Sequence, residues 1–342
     1  MNSLYITKAL KKIANEKSDM TFHESQLAFE EIIDGKVSEN ILASFLTALK
    51  MKGETIDEIV GAVFAMRKKA VFINPSTRSP IDIVGTGGDE LGTFNISTTS
   101  TFIVAGAGVS IAKHGNKAAT SKSGSADVMA SLGFNLDVHP AVMEHCLQEE
   151  GIAFLFAAKM HPAMRFAAPV RKSLGFRTIF NLLGPLLNPA GAVKQVVGVF
   201  DTYYTEVIAQ CLLKLGSRKA FVVHGCEGLD EISATSPTRI SEIRNNTIKT
   251  YEFNPQKYFS KLGNFSEIIG GTPEENAKIT LDILSGKIYG AARDICVLNA
   301  AAGILVDDKA LNFEDAIVLA NDSIDSGKAM QKLETLIKYS NQ

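Results

Sequence analysis

The chain has 342 residues, of which 46% are hydrophobic and 21% charged, and its 35 Lys and Arg nearly balance 37 Asp and Glu for a net charge of −2. That length exceeds what one core normally fills, so two domains are expected. The near-neutral balance argues against a nucleic acid as main partner, because such proteins carry a basic excess. Lys8, Lys11 and Lys12 interrupt the apolar positions at the N-terminus, so no secretory signal is read there. No apolar run is long enough to span a bilayer; Thr101 to Ala112 is short and broken by glycine. Cys146, Cys211, Cys226 and Cys296 are scattered without a CxxC pair and read as buried reduced thiols of a cytoplasmic protein.

In chain order, the first seventy or so residues predict helices only. Leu4, Ile6, Leu10 and Ile13 recur at helical spacing, and Thr21 to Glu24 is a capping box before Leu27, Phe29, Ile32 and Ile33. Ile41, Leu42, Phe45, Leu46 and Leu49 mark a third helix; Thr55 to Glu58 caps a fourth with Ile59, Val63 and Met66. The polar stretch Asn74 to Ser79 reads as a linker. Short apolar strands follow at Ile81–Val84, Val109–Ala112, Ala153–Phe156, Val196–Phe200 and Ala220–His224, with helical segments between. This alternation predicts a mostly parallel sheet covered on both faces, with ligands beyond the carboxyl ends of its strands. Pro162 to Pro189 breaks the alternation with helical spacing, and periodicity leaves open whether it joins the sheet layer or returns to the first domain.

Five constellations carry chemistry. Gly85-Thr86-Gly87-Gly88-Asp89 is a glycine turn at a strand tip, open to an anion or simply a tight turn; it matches neither GxGxxG nor GxxxxGK[ST]. Thr93 to Thr101 places an Asn and many hydroxyls at a helix start, where phosphate is favoured, and Ser97 could offer oxygen to Mg2+. Lys113 to Asp127 has three lysines, several hydroxyls and two glycines, which suit an anion-binding loop or a solvated basic one. Asp230-Glu231 is surface decoration unless phosphates lie opposite, when the pair suits Mg2+. Arg171, with Arg177 beyond it, could fork a carboxylate or be structural.

Together GTGGD (85–89), TFNIST (93–98), KHGN (113–116), SKSGSAD (121–127), RKSLGFRTIFNLLGPLLNP (171–189) and GLDEIS (228–233) closely resemble the anthranilate phosphoribosyltransferases, in the order those enzymes show. Lys117 stands where Arg is usual and Thr120 where Ser is usual; both keep charge or hydroxyl. The resemblance implies the nucleoside phosphorylase-like α/β fold. A small helical domain, 1–74 with 163–190 returning to it, would precede a larger domain of 75–162 and 191–342 with a mostly parallel sheet. It implies transfer of the phosphoribosyl group of 5-phosphoribosyl 1-pyrophosphate to the amino group of anthranilate, in tryptophan biosynthesis. The diphosphate substrate would meet Gly85, Gly88, Asp89, Thr93, Asn95, Ile96, Ser97, Thr98, Lys113, His114, Gly115, Asn116, Lys117, Ala118, Ala119, Thr120, Ser121 and Ser125. Gly85, Asn116 and Arg171 would meet anthranilate; Ser97, Asp230 and Glu231 would hold Mg2+, two ions per active site. A cytoplasmic homodimer is implied, with neither nucleic acid nor membrane as partner. Alternatives are a pyrimidine nucleoside phosphorylase of the same fold and a non-catalytic paralogue that binds nucleic acid.

Overall fold

The computed structural model describes residues 3–118 and 122–342. Four helices come first: α1 Leu4–Glu16, α2 Phe22–Ile33, α3 Glu39–Lys52 and α4 Ile56–Arg67. Both capping boxes form: Thr21 and Glu24, and again Thr55 and Glu58, exchange side-chain and backbone hydrogen bonds. They satisfy N–H groups that a helix start leaves unpaired. Phe29, Phe45, Leu46, Leu49 and Ile59 close the bundle from inside, all buried.

From Ile81 the pattern alternates. The first half runs β1 Ile81–Gly85, α5 Ile96–Gly106, β2 Ile111–Gly115, α6 Ser125–Ser131, α7 Pro140–Glu150 and β3 Ile152–Phe156. Short helices α8 Ala157–Met160, α9 Ala168–Leu174 and α10 Ile179–Leu183 lead to β4 Lys194–Gly198, α11 Tyr204–Lys214 and β5 Lys219–Gly225. A hairpin of β6 Thr238–Arg244 and β7 Thr247–Phe253 precedes α12 Pro273–Leu284, α13 Ala291–Val306, α14 Phe313–Asp325 and α15 Lys328–Ser340.

The seven strands are ordered β3-β2-β1-β4-β5-β6-β7, parallel from β3 through β5 and antiparallel at β6 and β7. The chain winds from β1 out to β2 and β3, then returns to the other side of β1 as β4. The crevice beyond the ends of β1 and β4 is therefore a topological switch point. Strand residues alternate between two apolar layers. Ile81, Ile83, Val196 and Val223 face a layer shared with α5, α13, α14 and α15. Val84, Val197, Val199 and Val222 face one shared with α1 to α4 and α11. Ala167, Val170, Ile179, Phe180 and Leu183 pack into that second layer, where Phe180 meets Phe29 edge to face at 5.7 Å.

Four details differ from the sequence reading, the first being that β4 runs Lys194–Gly198 rather than Val196–Phe200. β2 begins at Ile111 rather than Val109, so Lys113, His114 and Gly115 lie on the strand itself. An apolar run buried on both faces has no period-2 alternation to mark its ends. The β6–β7 hairpin was not anticipated; its Asn245-Asn246 tip adopts φ of 52° and 58°, the left-handed pair that a tight hairpin needs. Cys226 is exposed, whereas Cys146, Cys211 and Cys296 are buried thiols as expected. Among the described residues no helix is long and apolar enough to cross a membrane.

Candidate functional site

Gly85 and Gly198 end the paired strands β1 and β4 side by side. Both lack a side chain where Asp230 arrives from the loop after β5. A Cβ at Gly85 would lie 2.4 Å from Asp230 Oδ2, and one at Gly198 only 1.6 Å from the Asp230 carbonyl oxygen. The acidic loop therefore closes directly onto the strand tips. Asp230 Oδ2 accepts the Gly87 N–H at 2.8 Å, in a turn where Gly87 and Gly88 take φ of 66° and 82°. Glu231 Oε1 accepts the Ser97 N–H at 3.0 Å, at the first turn of α5. Asn95 supplies no side-chain cap there, so that turn presents N–H groups to an acceptor.

Lys113 Nζ donates to the Ile83 carbonyl at 2.6 Å and lies 3.2 Å from Ser97 Oγ. Burial pulls its ammonium below the usual lysine range, against the attraction of Asp82, Glu231 and Asp230. Burial likewise pushes Asp230 and Glu231 well above the usual carboxylate range, and repulsion from Asp89 and from Asp230, respectively, adds to it. Asp89, read as a substrate contact, lies within hydrogen-bonding reach of Asp230, and burial raises it too. The spot is thus rich in carboxylate, with Lys113 as a buried counter-charge.

The hydroxyl run at α5 is less available than its composition implies. Thr99, Ser100 and Thr101 return their hydroxyls to the carbonyls of Asn95, Ile96 and Ser97. This back-bonding is a common fate of Ser and Thr inside a helix. Ser97 Oγ faces Lys113, while Thr98 Oγ1 is buried without a partner among the described residues. Thr93 forms an isolated bridge with Ile269.

Beyond β2 the chain folds over α6. Asn116 N–H donates to Ser125 Oγ at 3.0 Å, and Ala118 and Gly124 N–H groups both reach Asp127 Oδ2, at 2.8 and 2.9 Å. A Cβ at Gly124 would lie 2.3 Å from the Ala118 nitrogen, so the two arms of the loop touch. Asn95 Nδ2 donates to the Ser123 carbonyl at 3.3 Å, which ties this loop to the start of α5. Asn116 and Lys117 side chains stay exposed; Ala119, Thr120 and Ser121 lie outside the described residues. His114 is buried with Nδ1 donating to the Gly184 carbonyl at 3.2 Å, and burial pulls its imidazole down to about 3. His161 sits against it, rings 5.1 Å apart.

Arg171, on α9, does not join these loops directly. Its half-buried guanidinium lies 5.3 Å over the Phe180 ring and has no ion-pair partner among the described residues, which leaves it free for a carboxylate. Arg177 does reach the glycine turn: it donates to the Gly88 carbonyl, pairs with Glu90 at 3.0 Å and covers Phe200 at 4.5 Å.

Several supporting residues were missed from sequence. Asp82 is fully buried, accepts the His114 N–H at 3.2 Å and receives Asn188 Nδ2 at 2.7 Å. A charged residue inside the apolar run of β1 was the available signal. Gly198 carried a weaker one, a glycine inside the apolar run Val196–Phe200. Asn299 carried none, being one polar residue in a long apolar helix.

A resident Mg2+ fits this donor set. Among the described residues no trio of His, Cys, Asp and Glu forms a closed cage. Mg2+ is commonly held by one or two carboxylates with substrate phosphates and water completing its shell. Two carboxyls raised by burial and by neighbouring carboxylates, beside an N–H-lined turn, suit a dication arriving with a phosphate ligand.

The family models described as "Glycosyl transferase family, helical bundle domain" and "Glycosyl transferase family, a/b domain" match residues 7–70 and 77–330. The anthranilate phosphoribosyltransferase of Desulfosudis oleivorans is 48% identical, over 97% of this chain and 98% of its own. That of Syntrophobacter fumaroxidans is 47% identical, over 98% and 99%. Among solved structures, the Thermus thermophilus anthranilate phosphoribosyltransferase superposes with a TM-score of 0.92 at 38% identity, covering 98% of this chain and 99% of its own. The Saccharomyces cerevisiae enzyme in complex with PRPP and Mg gives 0.90 at 28% identity, covering 98% of each chain.

Proposed function

The chain belongs to the anthranilate phosphoribosyltransferases of the glycosyl transferase family, and from that premise we infer how its strand-tip loops perform the transfer. It moves the phosphoribosyl group of 5-phosphoribosyl 1-pyrophosphate to the amino group of anthranilate and releases pyrophosphate, a step of tryptophan biosynthesis. The relatives named above carry the transferase's name, which supports it over the phosphorylase and nucleic-acid-binding alternatives.

One observation carries the site assignment. The adjacent carboxyls of Asp230 and Glu231 reach N–H groups of two different turns, Gly87 after β1 and Ser97 at the start of α5. Acid pair and both turns thus share one spot at the switch point. The diphosphate substrate lies across Gly85, Gly88, Asp89, Thr93 and Asn95 to Thr98, with Lys113 to Ser121 and Ser125 along its other side. Ser97, Asp230 and Glu231 hold Mg2+, and we assign two ions to each site. Bound there, Mg2+ supplies positive charge against the negative charge that grows on the departing pyrophosphate.

The chain's own groups do the rest. Fixed N–H donors of the glycine turn and of α5, with the Lys113 ammonium, hold the pyrophosphate end and stabilise it as it leaves. The ribose C1 carbon is then open to a neutral aromatic amine, which needs no prior deprotonation: the N–C1 bond forms as the C1–O bond to pyrophosphate breaks, and the nitrogen then loses one proton to the released pyrophosphate or to water. Arg171 holds the anthranilate carboxylate, with Gly85 and Asn116 lining the approach, so that amine and carbon meet in a fixed geometry. Support for Arg171 is its half-buried guanidinium, free of any ion pair among the described residues.

The same reading divides the chain into a helical domain of 1–74 with 163–190, and an α/β domain of 75–162 with 191–342. It also makes the protein a cytoplasmic homodimer, which sedimentation equilibrium tests. The activity itself is tested by anthranilate fluorescence: it should fall on addition of 5-phosphoribosyl 1-pyrophosphate with Mg2+ and hold steady with either alone. A steady signal with both present would defeat the reading.

A further inference from the structure

We propose that Asn299 is a positioning residue that sets the metal-binding carboxylates; this rests on the assignment of Asp230 and Glu231 as Mg2+ ligands. Asn299 lies on α13, is fully buried, and spends its side-chain hydrogen bonds on Ile232 and Ile295, neither of which is assigned to a substrate. Its amide grips the backbone of the residue that follows Glu231. Oδ1 accepts the Ile232 N–H at 2.9 Å, and Nδ2 donates to the Ile232 carbonyl at 2.9 Å. Nδ2 gives its second hydrogen to the Ile295 carbonyl of its own helix, at 2.8 Å. Two donors and one acceptor are thereby used, and the amide is fixed against rotation.

This clamp acts as one rung of a β-ladder supplied by a side chain. It holds both backbone groups of Ile232, so the φ and ψ that aim the preceding carboxylate have little freedom. The opposite side of the segment is closed by Gly198, whose missing Cβ admits the Asp230 carbonyl. Downstream, Ser233 N–H bonds Thr238 Oγ1 at 2.9 Å, and Glu227 takes the hydroxyls of Ser233, Thr235 and Ser236. Of these restraints, only Asn299 ties the acidic loop to α13. The Ser100 hydroxyl, whose one proton is shared with the Ile96 carbonyl, also reaches the Cys296 carbonyl of that helix at 3.1 Å. Ser100 belongs to α5, whose first turn donates the Ser97 N–H to Glu231. One helix therefore fixes both the acid pair and the N–H donors it faces, with Asn299 as the link to the acids. Groups that orient a metal's ligands commonly change metal affinity 10- to 100-fold when removed.

The test measures free Mn2+ by electron paramagnetic resonance as the full-length protein is titrated in the presence of pyrophosphate. Asn299→Ala and the near-isosteric Asn299→Asp should each weaken Mn2+ binding about 10-fold or more. The Mg2+ concentration for half-maximal rate should rise in parallel, while kcat at saturating Mg2+ stays within about 3-fold of wild type. Ser323→Ala serves as control, because it removes a buried bond to the Ile103 carbonyl (2.7 Å) elsewhere in the same layer; its Mn2+ affinity should be unchanged. Should Asn299→Ala fail to fold, Asn299→Asp, which keeps the volume, decides. Wild-type affinity in a folded Asn299 variant, or equal weakening in Ser323→Ala, would overturn the positioning role alone. If wild type binds no Mn2+ with pyrophosphate, the metal assignment falls, and the positioning role with it.

Discussion

Gly198→Ala is a single methyl group placed where the account leaves no room. The added carbon would lie 1.6 Å from the Asp230 carbonyl oxygen and 2.5 Å from its carbonyl carbon. An ordinary carbon–oxygen approach is about 3.4 Å, so the backbone at Asp230 must retreat by roughly 1.5 to 2 Å. Both atoms in the way are main chain, and no side-chain rotation relieves them. Overpacking of this kind costs about 1–3 kcal/mol of stability. A retreat of that size also breaks the 2.8 Å bond from the Gly87 N–H to Asp230 Oδ2. With Mg2+ bound Asp230 is ionised; a hydrogen bond to a charged group is worth about 1.5–3 kcal/mol, and that much lost from the diphosphate–Mg2+ site is roughly a 10- to 100-fold weaker affinity. Thermal unfolding measures the first quantity, and calorimetric titration of pyrophosphate with Mg2+ measures the second. A folded Gly198→Ala protein with wild-type affinity would refute the reasoning, because the acid pair would then not depend on the strand tip.

Other consequences follow from the same geometry. Arg171→Ala should raise the KM for anthranilate 10-fold or more and leave that for 5-phosphoribosyl 1-pyrophosphate within about 2-fold, by steady-state kinetics; equal shifts would remove its carboxylate role. Asp230 and Glu231 sit above the usual carboxylate range, so the folded protein keeps protons there that the unfolded chain releases. Their contribution to stability is present at low pH and is lost as pH rises through the raised values. Binding of Mg2+ with pyrophosphate at pH 7 should then release protons, seen as a buffer-dependent heat in calorimetry; a buffer-independent heat would contradict this. His161 has the opposite sign: burial pulls it from 6.5 to about 4, so the unfolded state takes up the proton first and stability is lost as pH falls through that window. His161→Asn should flatten the pH 4–7 dependence of unfolding free energy by on the order of 3 kcal/mol, and an unchanged slope in denaturant melts would count against its buried neutral form.

What could be read from sequence divides by the range of the interaction. Capping boxes at Thr21 and Thr55 were legible because both partners lie within four residues. The five parallel strands were legible from apolar runs, but the start of β2 and the bounds of β4 were not, since burial on both faces removes the alternation that marks an end. Composition overstated the donors at α5, because Thr99, Ser100 and Thr101 spend their hydroxyls on their own helix. The Asn245-Asn246 pair, two residues that tolerate positive φ, is the local signal of the hairpin tip. The roles of Asn299 and Gly198 were illegible for a different reason. Their meaning lies in the backbone around Asp230, 67 residues from Asn299 to the Ile232 it holds, and no local pattern encodes a contact made across the fold.

The central claim is that Asp230 and Glu231 hold a divalent ion against a diphosphate cradled by the turns after β1 and at the start of α5. Anomalous diffraction from crystals grown with Mn2+ and pyrophosphate tests it most directly. A metal peak is expected within about 2.5 Å of a carboxylate oxygen of that pair, with pyrophosphate oxygens between it and the N–H groups of the glycine turn. Pyrophosphate seated there with its metal far from both carboxylates, or seated elsewhere on the sheet, would contradict it.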